Sequence, residues 1–209
     1  MSQPLPEPLP DSPLPLVAAW LAEARQAMRN ATSMTLATVD ADGRPSARMV
    51  VCRGFDAEAG WLVFYTDRDS RKGLALEAHP RAALVFHWDA LERQIRIEGP
   101  VTIAPEEDVD RYWSTRPLDA RIAAIASEQG QPIASRAALL AKIEETARDS
   151  GPSPPRPPRW IGYRVWADLV ELWVGQPARA HDRAVWTRTL EHTPGGYSGG
   201  TWTATRLQP

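Results

Sequence analysis

The amino-acid sequence predicts a mainly β protein with flanking helices. Short apolar runs that end at turn signals recur along most of the chain, one amphipathic helix precedes them, and further strand-like runs follow a proline-rich stretch. With 209 residues, 43% of them hydrophobic, the chain is long enough to bury one good core. We therefore expect a single domain with a short appendage.

The N-terminal region divides into a tail and a helix. Residues 1–15 hold six prolines among Ser, Glu and Asp, a composition that predicts an extended or disordered tail. From Leu16 to about Met28 the apolar residues recur at helical spacing, which predicts an amphipathic helix. We expect the single domain to cover residues 16–209.

The β region begins with a predicted hairpin, because the run 34–39 ends at the turn signal Asp40-Ala41-Asp42-Gly43 and the β-type pattern resumes over 46–51. Further strand-like runs cover 61–66, 82–88, 94–102, 163–173, 182–189 and 201–207. The predicted helices are one that begins at Ser70 and three that cover 105–112, 120–126 and 135–148. Residues 151–158 are proline-rich and predict a stiff connector. The segment after it is too short to fold alone, so its strands should complete the first sheet.

Three groups able to carry positive charge alternate near the C-terminus. In an extended segment Arg179, His181 and Arg183 would share one face, with Ala180 and Asp182 on the other. Such a face favours an anion. The alternative is a solvated strand face whose charges pair with some of the 26 acidic residues.

A second cationic group stands at the start of a predicted helix. Ser70 is a good helix N-cap, and Arg71 and Lys72 occupy the first turn, where the helix dipole disfavours cations by a few tenths to about 1 kcal/mol each. A bound phosphate would balance them, although two cations reaching into water are the simpler interpretation. Arg48 lies in an otherwise apolar strand, which predicts a specific partner.

Several function classes find no support. No run approaches the 18 or so apolar residues of a membrane span, and the N-terminus lacks the regions of a signal peptide. The single Cys52 allows no intrachain disulfide, so we expect a cytoplasmic protein. A formal net charge of −2 gives no global case for binding nucleic acid. His79, His87, His181 and His192 show no ligand-type spacing, so no metal is expected.

A series of short motifs runs through the chain in a consistent order and spacing. They are Gly43-Arg44-Pro45-Ser46-Ala47-Arg48, Val63-Phe64-Tyr65-Thr66, Ser70-Arg71-Lys72-Gly73, Leu91-Glu92-Arg93-Gln94, Tyr112 with Ser114-Thr115-Arg116-Pro117, Ser127-Glu128-Gln129, Trp160-Ile161-Gly162-Tyr163-Arg164-Val165, Glu171-Leu172-Trp173 and Arg179-Ala180-His181-Asp182-Arg183. Together they resemble the FMN-dependent pyridoxamine 5′-phosphate oxidases and their relatives over about residues 16–209. This resemblance implies a split β-barrel homodimer with FMN at the subunit interface.

The resemblance also implies roles for particular residues. The FMN phosphate would be held by Arg48, Arg71 and Lys72. Polar contacts to the flavin and its ribityl chain would come from Tyr65, Thr66, Gln94 and Gln129. Two residues resemble those that approach the flavin from the other subunit, Trp173 and Arg183. The catalytic pair that orients the substrate ring would be Arg179 and His181. The substrate phosphate clamp would include Tyr112 and Arg116.

The chain departs from the family pattern mainly around the substrate. Arg53 stands where a lysine usually reaches the substrate phosphate, and Ala120 replaces a serine of the same clamp. Ala123-Ala124-Ile125 replaces a Gly-Ala-Trp segment. The C-terminal motif also departs from the residues usual in the family, at Leu172, Val174 and Ala180.

Three hypotheses follow from this pattern. The first is an oxidase that converts pyridoxamine or pyridoxine 5′-phosphate to pyridoxal 5′-phosphate, with oxygen as acceptor and hydrogen peroxide as by-product. The second is an FMN oxidase of the phenazine-biosynthesis type, in which Arg53, Arg116 and Arg179 would meet the carboxylates of a reduced aromatic precursor. The third is a protein that binds flavin or pyridoxal phosphate without turnover.

Overall fold

The computed structural model describes residues 3–209. Its α-helices are α1 (Leu14–Ala27), α2 (Arg71–Ala78), α3 (Glu106–Thr115), α4 (Leu118–Ala126) and α5 (Arg136–Asp149). Its strands are β1 (Ser33–Val39), β2 (Pro45–Val51), β3 (Gly54–Asp56), β4 (Trp61–Asp67), β5 (Arg81–Trp88), β6 (Arg93–Ile103), β7 (Trp160–Trp166), β8 (Leu169–Val174), β9 (Asp182–Thr187), β10 (Leu190–Thr193), β11 (Gly196–Gly199) and β12 (Thr203–Leu207). Short 3-10 turns occur at Asp89–Leu91 and Pro177–Arg179.

One antiparallel sheet forms the body of the protein, in the order β12-β9-β8-β6-β5-β1-β2, and β7, β4 and β3 extend it from β6. The long strand β6 joins the two parts, because Arg93–Glu98 pairs with β8 and Val101–Ile103 pairs with β7. Between these stretches, a Cβ on Gly99 would lie 1.7 Å from the Trp166 carbonyl oxygen, so only glycine permits the close approach. The sheet curls into a half-barrel, and the predicted mainly β fold with flanking helices is confirmed.

Most predicted elements are present with shifts of a few residues. The hairpin of β1 and β2 is confirmed, with Ala37 opposite Ala47. The predicted strand 163–173 is two strands, because the chain turns at Ala167 and Asp168, whose N–H groups donate to the carbonyls of Gly60 and Glu98. The sequence did not predict β3 or the β10–β11 hairpin, since these short strands carry little apolar alternation.

The main core lies between α1 and the sheet. Val17 and Trp20 of α1 contribute to it together with Leu36, Phe86 and Trp186 from the strands. A smaller cluster unites Val63, Ala104, Val109, Trp113 and Trp160. This second cluster fixes α3 against β4 and β7, and it supports one wall of the candidate site. No helix within residues 3–209 has the length and apolar character needed to cross a membrane.

The proline-rich N-terminal segment differs from the expected disordered tail. Leu5 is only 4% exposed and belongs to the main core, so burial of its side chain holds the segment in place. The N–H of Leu5 donates to Asp182 Oδ2 at 2.8 Å, and Trp186 Nε1 donates to the Pro10 carbonyl at 2.8 Å. Prolines lack an N–H but keep a carbonyl acceptor, which this contact uses. From residue 3 onward the segment therefore packs on the strand that follows His181.

Candidate active site

A cavity of about 320 Å³ lies beside β2, β4 and the start of α2. Its lining comprises Arg48, Met49, Val50, Val51, Arg53, Tyr65, Thr66, Lys72, Tyr112, Arg116 and Gln129. Eight of these are site residues that the sequence analysis had singled out, and they come from five separate segments of the chain. Only the fold brings them together, so the cavity is the candidate active site.

One end of the cavity is formed by the beginning of α2. The Ser70 hydroxyl caps this helix by accepting from the Gly73 N–H at 3.4 Å, as its sequence position predicted. Lys72 Nζ donates to the Ser70 hydroxyl at 2.9 Å and to Gln129 Oε1 at 2.5 Å. Thr66 donates to the same Gln129 oxygen at 2.9 Å. Three residues predicted to contact the cofactor, Thr66, Lys72 and Gln129, therefore form one hydrogen-bonded group.

Arg48 reaches this end of the cavity from β2. Its guanidinium donates to the Leu36 carbonyl at 3.1 Å, to the Thr38 hydroxyl at 2.8 Å and to the Ser46 hydroxyl at 2.7 Å. All three acceptors are neutral, so these bonds orient Arg48 without neutralising it. The specific partners that the sequence predicted for Arg48 are therefore present.

The electrostatics of this end favour an anion. Burial lowers the pKa of Lys72 to about 8, and the nearby positive charge of Arg48 adds to the shift. Burial and the charge of Arg71 likewise lower the pKa of Arg48. The first turn of α2 has no acidic residue, although acidic side chains are the usual occupants of that position. A phosphate group would relieve the repulsion between these cations. The free N–H groups at the start of α2 would also donate hydrogen bonds to such an anion.

Arg71 lies apart from this group. Its side chain is 65% exposed and contacts Asp40 Oδ2 at 3.5 Å. It lines a different cavity of about 300 Å³ together with Asp40 and Asp69. Its role as a third cation for the FMN phosphate stays a prediction.

Another part of the cavity lining is aromatic and cationic. The rings of Tyr65 and Tyr112 stack with centroids 4.3 Å apart, and Trp160 stacks on Tyr65 at 5.4 Å. The Arg116 guanidinium lies 5.0 Å from the Trp160 ring centroid, and that of Arg53 lies 5.5 Å from Tyr112. These cation–π contacts hold both guanidinium groups over aromatic rings.

Arg116 also has an unused donor. One of its terminal nitrogens donates to the Ala120 carbonyl at 3.0 Å. Its Nε is buried, and it finds no hydrogen-bond partner within residues 3–209. Buried donors are normally paired. The Nε atoms of Arg93 and Arg121 are likewise unpaired in the described residues, but only Arg116 of the three lines the cavity, where a ligand would be the partner. Trp160 belongs to a motif that the sequence showed two residues after the proline-rich connector, but no role could be predicted for it there.

A larger cavity of about 500 Å³ adjoins the first. The two share Tyr65, Thr66, Arg116 and Gln129. The α4 side of the larger cavity is lined by Ala120, Ala123 and Ala124. Ala120 stands where the family usually has a serine and Ala123 where it has a glycine, so these departures make this wall apolar and change its size little.

A second group of predicted site residues lies elsewhere on the sheet. Gln94, Trp173 and Arg183 are cross-strand neighbours on β6, β8 and β9. The His181 ring lies 4.7 Å from the Trp173 ring, and the Gln176 N–H donates to His181 Nδ1 at 3.2 Å. In the neutral imidazole this leaves the proton on Nε2.

The expectation that Arg179, His181 and Arg183 share one face of an extended segment is wrong. Strand β9 begins only at Asp182, and Arg179 ends a 3-10 turn. Ala178 and Arg179 have φ values of 55° and 60°, in the left-handed region that non-glycine residues rarely adopt. Alternation of charge in the sequence cannot distinguish a strand from a strained turn followed by a strand.

Glu171 anchors this second group. It is 3% exposed, accepts from Arg183 Nη2 at 2.7 Å and also pairs with Arg96. The sequence analysis quoted Glu171 within a motif but gave it no role. In the described chain the cavity lining includes none of Gln94, Trp173, Arg179, His181 and Arg183. Apart from Arg71, the structure therefore divides the predicted site residues into a cavity group, the eight that line the cavity, and a Trp173 group, which comprises Gln94, Trp173, Arg179, His181 and Arg183.

Two family profiles match this chain. A family profile described as pyridoxamine 5′-phosphate oxidase matches residues 21–148, and one described as the pyridoxine 5′-phosphate oxidase C-terminal dimerisation region matches residues 160–209. The chain belongs to the pyridoxamine 5′-phosphate oxidase family. The Trp173 group lies entirely within the C-terminal match except for Gln94. Membership makes the chain an oxidoreductase of the oxidase type.

Individual relatives agree with this assignment. A pyridoxine/pyridoxamine 5′-phosphate oxidase of Burkholderia orbicola (strain MC0-3) is 49% identical over 191 residues, which cover 91% of this chain and 86% of the relative. A protein of the same name from Paraburkholderia phymatum is 48% identical over 192 residues, covering 91% and 85%. Among solved structures, PhzG from Burkholderia lata 383, in complex with tetrahydrophenazine-1-carboxylic acid, has a TM-score of 0.83 at 32% identity and covers 96% of this chain and 94% of PhzG.

Proposed function

We propose that this family member is an FMN-dependent oxidase that converts pyridoxamine or pyridoxine 5′-phosphate to pyridoxal 5′-phosphate. The observation that carries the proposal is that four cations line one cavity, Arg48 and Lys72 beside the start of α2 and Arg53 and Arg116 beside aromatic rings. A phosphorylated cofactor beside a phosphorylated substrate needs such a pair of anion sites. The curated relatives of nearly half-identical sequence support the same substrate class.

The residues at the α2 end fit the phosphate and ribityl parts of FMN. Arg48 and Lys72 supply charge for the phosphate, and the start of α2 supplies N–H donors. Thr66 and Gln129 supply the neutral polar groups that a hydroxylated chain requires. When bound, FMN would accept a hydride from the substrate and pass two electrons to oxygen, which leaves as hydrogen peroxide.

The chain's own residues bind and orient the substrate. Arg53 and Arg116 would bind its phosphate, with their guanidinium groups over the rings of Tyr112 and Trp160. The buried Nε of Arg116 would gain the partner that it lacks. His181 and Arg179 would orient the substrate ring, and the Nε2 proton of His181 is available to a substrate oxygen. For pyridoxamine 5′-phosphate, a water molecule also enters and ammonia leaves.

We further propose that the complete site forms in a homodimer. The cavity group of one subunit would face the Trp173 group of its partner, with FMN between them. The match of a dimerisation-region profile to residues 160–209 supports this, since Trp173, Arg179, His181 and Arg183 lie in that range. Oxygen as acceptor and a cytoplasmic location belong to the same proposal.

A specific observation favours a second candidate, a flavin oxidase that acts on a reduced carboxylated aromatic. The alanine-lined cavity of about 500 Å³ would accept a ring system larger than that of vitamin B6. Arg53 and Arg116 would then bind carboxylates instead of a phosphate. The fold similarity to PhzG is compatible with this substrate class.

Anaerobic reduction of the flavin separates the two candidates. The FMN-loaded protein is mixed without oxygen with pyridoxine 5′-phosphate, pyridoxamine 5′-phosphate or dihydrophenazine carboxylate, and bleaching of the flavin absorbance is followed. We expect bleaching by both vitamer phosphates at rates of order 0.1 to 10 per second. Bleaching by the carboxylated aromatic alone would establish the second candidate, and no bleaching by any compound would contradict both.

A substitution series adds a matched comparison. Arg53→Lys with Ala120→Ser restores the residues usual in the family. If the substrate is a vitamer phosphate, this double variant keeps or improves turnover of pyridoxine 5′-phosphate. If the wild type is nearly inactive on that compound and the double variant gains activity, the second candidate is favoured.

A further inference from the structure

An ion pair behind the candidate cofactor site connects two of its walls. Asp67 ends β4 and is only 6% exposed. Its Oδ2 accepts from Arg159 Nε at 2.8 Å, and its Oδ1 accepts from the Asp69 N–H at 2.8 Å. Its carbonyl accepts from the Ser70 hydroxyl at 2.6 Å. Asp67 therefore holds the turn that leads into α2 and Lys72.

Arg159 holds the other wall. One terminal nitrogen of Arg159 donates to the carbonyls of Ala124, Ile125 and Ser127, at 3.3, 2.7 and 3.2 Å. These carbonyls belong to the C-terminal end of α4 and the residue that follows it, where a cation is favoured by the helix dipole. The Arg159 carbonyl also accepts from the Arg68 N–H at 2.8 Å. Arg159 thus fixes the chain two residues before Gln129 and ties it to the turn after β4.

The two walls meet at the bond between Lys72 and Gln129. Lys72 follows the turn that Asp67 holds, and Gln129 follows the helix end that Arg159 holds. Their side chains meet at 2.5 Å on the surface of the 320 Å³ cavity. Neither Asp67 nor Arg159 lines that cavity, although Asp67 lines the adjoining cavity of about 500 Å³. The pair therefore acts on the Lys72 part of the cavity through the segments that it positions.

We propose that the Asp67–Arg159 ion pair is a positioning pair that sets the Lys72–Gln129 contact and thereby the affinity for the phosphate-bearing end of the flavin. The inference rests on the proposed function, since it assigns the anion at Lys72 to FMN. Neither residue is catalytic. Removing one partner of a buried ion pair leaves the other charge without compensation, so the local structure must rearrange. The rearrangement would separate Gln129 from Lys72.

The test measures the dissociation constant of FMN from the apo-protein by flavin fluorescence, and thermal unfolding in parallel. Asp67→Asn should raise the constant about tenfold or more, as expected for loss of a hydrogen-bonded charge contact. In a Gln129→Ala background the same substitution should change the constant less than about twofold, because interacting residues are non-additive. If the pair has only a structural role, Asp67→Asn will lower the unfolding temperature and leave FMN affinity at the wild-type value. Alternatively, it will weaken FMN affinity by the same factor in the wild-type and Gln129→Ala proteins.

Two further variants keep the test decisive. Arg159→Lys retains the charge beside Asp67 but has no planar fork for the three carbonyls, so its FMN affinity should lie between wild type and Asp67→Asn. This variant decides the matter if Asp67→Asn does not fold. Asp108→Asn removes another carboxylate charge, the partner of Arg164 at 2.6 Å, and should leave FMN affinity within about twofold of wild type.

The possible results distinguish failure of the proposed function from failure of the role proposed for the Asp67–Arg159 pair. Wild-type protein that fails to take up FMN at micromolar concentration overturns the proposed function, and the inference with it. Wild-type binding combined with an unchanged dissociation constant in Asp67→Asn and Arg159→Lys overturns the inference alone. Equal losses in the presence and absence of Gln129 also overturn it.

Discussion

Arg183 donates through both Nε and Nη2 to a single carboxylate oxygen of Glu171, at 3.0 and 2.7 Å. The other oxygen of Glu171 accepts from Arg96. Burial alone would raise the pKa of Glu171, but the hydrogen bonds from Arg183 and Arg96 hold it below its ordinary value. A buried carboxylate with two arginines therefore fixes the guanidinium that we propose faces the flavin of the partner subunit.

Replacing Glu171 by Gln should destabilise the protein by about 2 kcal/mol. The figure lies below that for fully buried pairs because both arginines are about one-third exposed. Since the folded-state pKa is lowered, this stabilisation is present above the unfolded value near 4.5 and is lost as pH falls through the folded value. Denaturant titration of wild type and variant at pH 7 and pH 4 checks this, and the difference should shrink at the lower pH. An equal difference at both pH values would contradict the assignment.

FMN affinity should weaken as pH rises above about 8. Phosphate binding requires charged Lys72, whose pKa in the unliganded protein is lowered to about 8. Fluorescence titration with FMN from pH 7 to 10 should show this loss, and Lys72→Arg should remove it because arginine stays protonated. In the unliganded protein the same lowered pKa of Lys72 affects folding stability in the opposite direction to FMN affinity. The folded state gains stability from this group as pH rises above about 8, and a pH-independent FMN affinity would refute the role of Lys72.

Arg116→Ala should act mainly on KM. The substitution removes a charge-assisted contact to the substrate anion, worth about 1.5 to 3 kcal/mol. Steady-state kinetics with pyridoxine 5′-phosphate should show an increase in KM of at least tenfold and a much smaller change in kcat. A change confined to kcat would place Arg116 outside the substrate clamp.

Because Ala178 has a left-handed backbone, we expect its replacement by glycine to raise stability and to lower activity. The left-handed conformation costs an alanine roughly 1 to 2 kcal/mol, and a glycine at the same position avoids this cost. The glycine loses roughly 0.5 to 1 kcal/mol of stability through the larger entropy of its unfolded chain. Ala178→Gly should therefore be slightly more stable than wild type, by about 0.5 kcal/mol. It should also lower kcat, because the neighbouring Arg179 is held less firmly. Thermal unfolding and kinetics on one preparation test both, and an unchanged kcat would contradict a positioning role for this turn.

Much of the fold could be predicted from local patterns, as the β1–β2 hairpin and the Ser70 cap illustrate. The cavity could not, because its residues come from segments that only the sheet topology brings together. Trp160 and Asp67 were missed for the same reason: stacking on Tyr65 and pairing with Arg159 are long-range contacts without a periodic signal. The order of the N-terminal segment depends on Leu5 finding a place in the core, which composition does not reveal.

We propose that one active site combines the cavity group of one subunit with the Trp173 group of the other. Two variants test it, Lys72→Ala in the cavity and Arg179→Ala near Trp173, each expected to be nearly inactive alone. In a heterodimer, one of the two sites would pair the intact cavity of one chain with the intact Trp173 group of the other.

The decisive measurement is oxidase activity after the two variants are unfolded together and refolded as a mixture. Random pairing gives about half heterodimers, each with one intact site, so the account predicts about one quarter of wild-type activity. Separately refolded variants mixed afterwards serve as the control and should stay inactive. If the co-refolded mixture contains heterodimers and shows no more activity than the separate variants, each site lies within one chain and the account is contradicted.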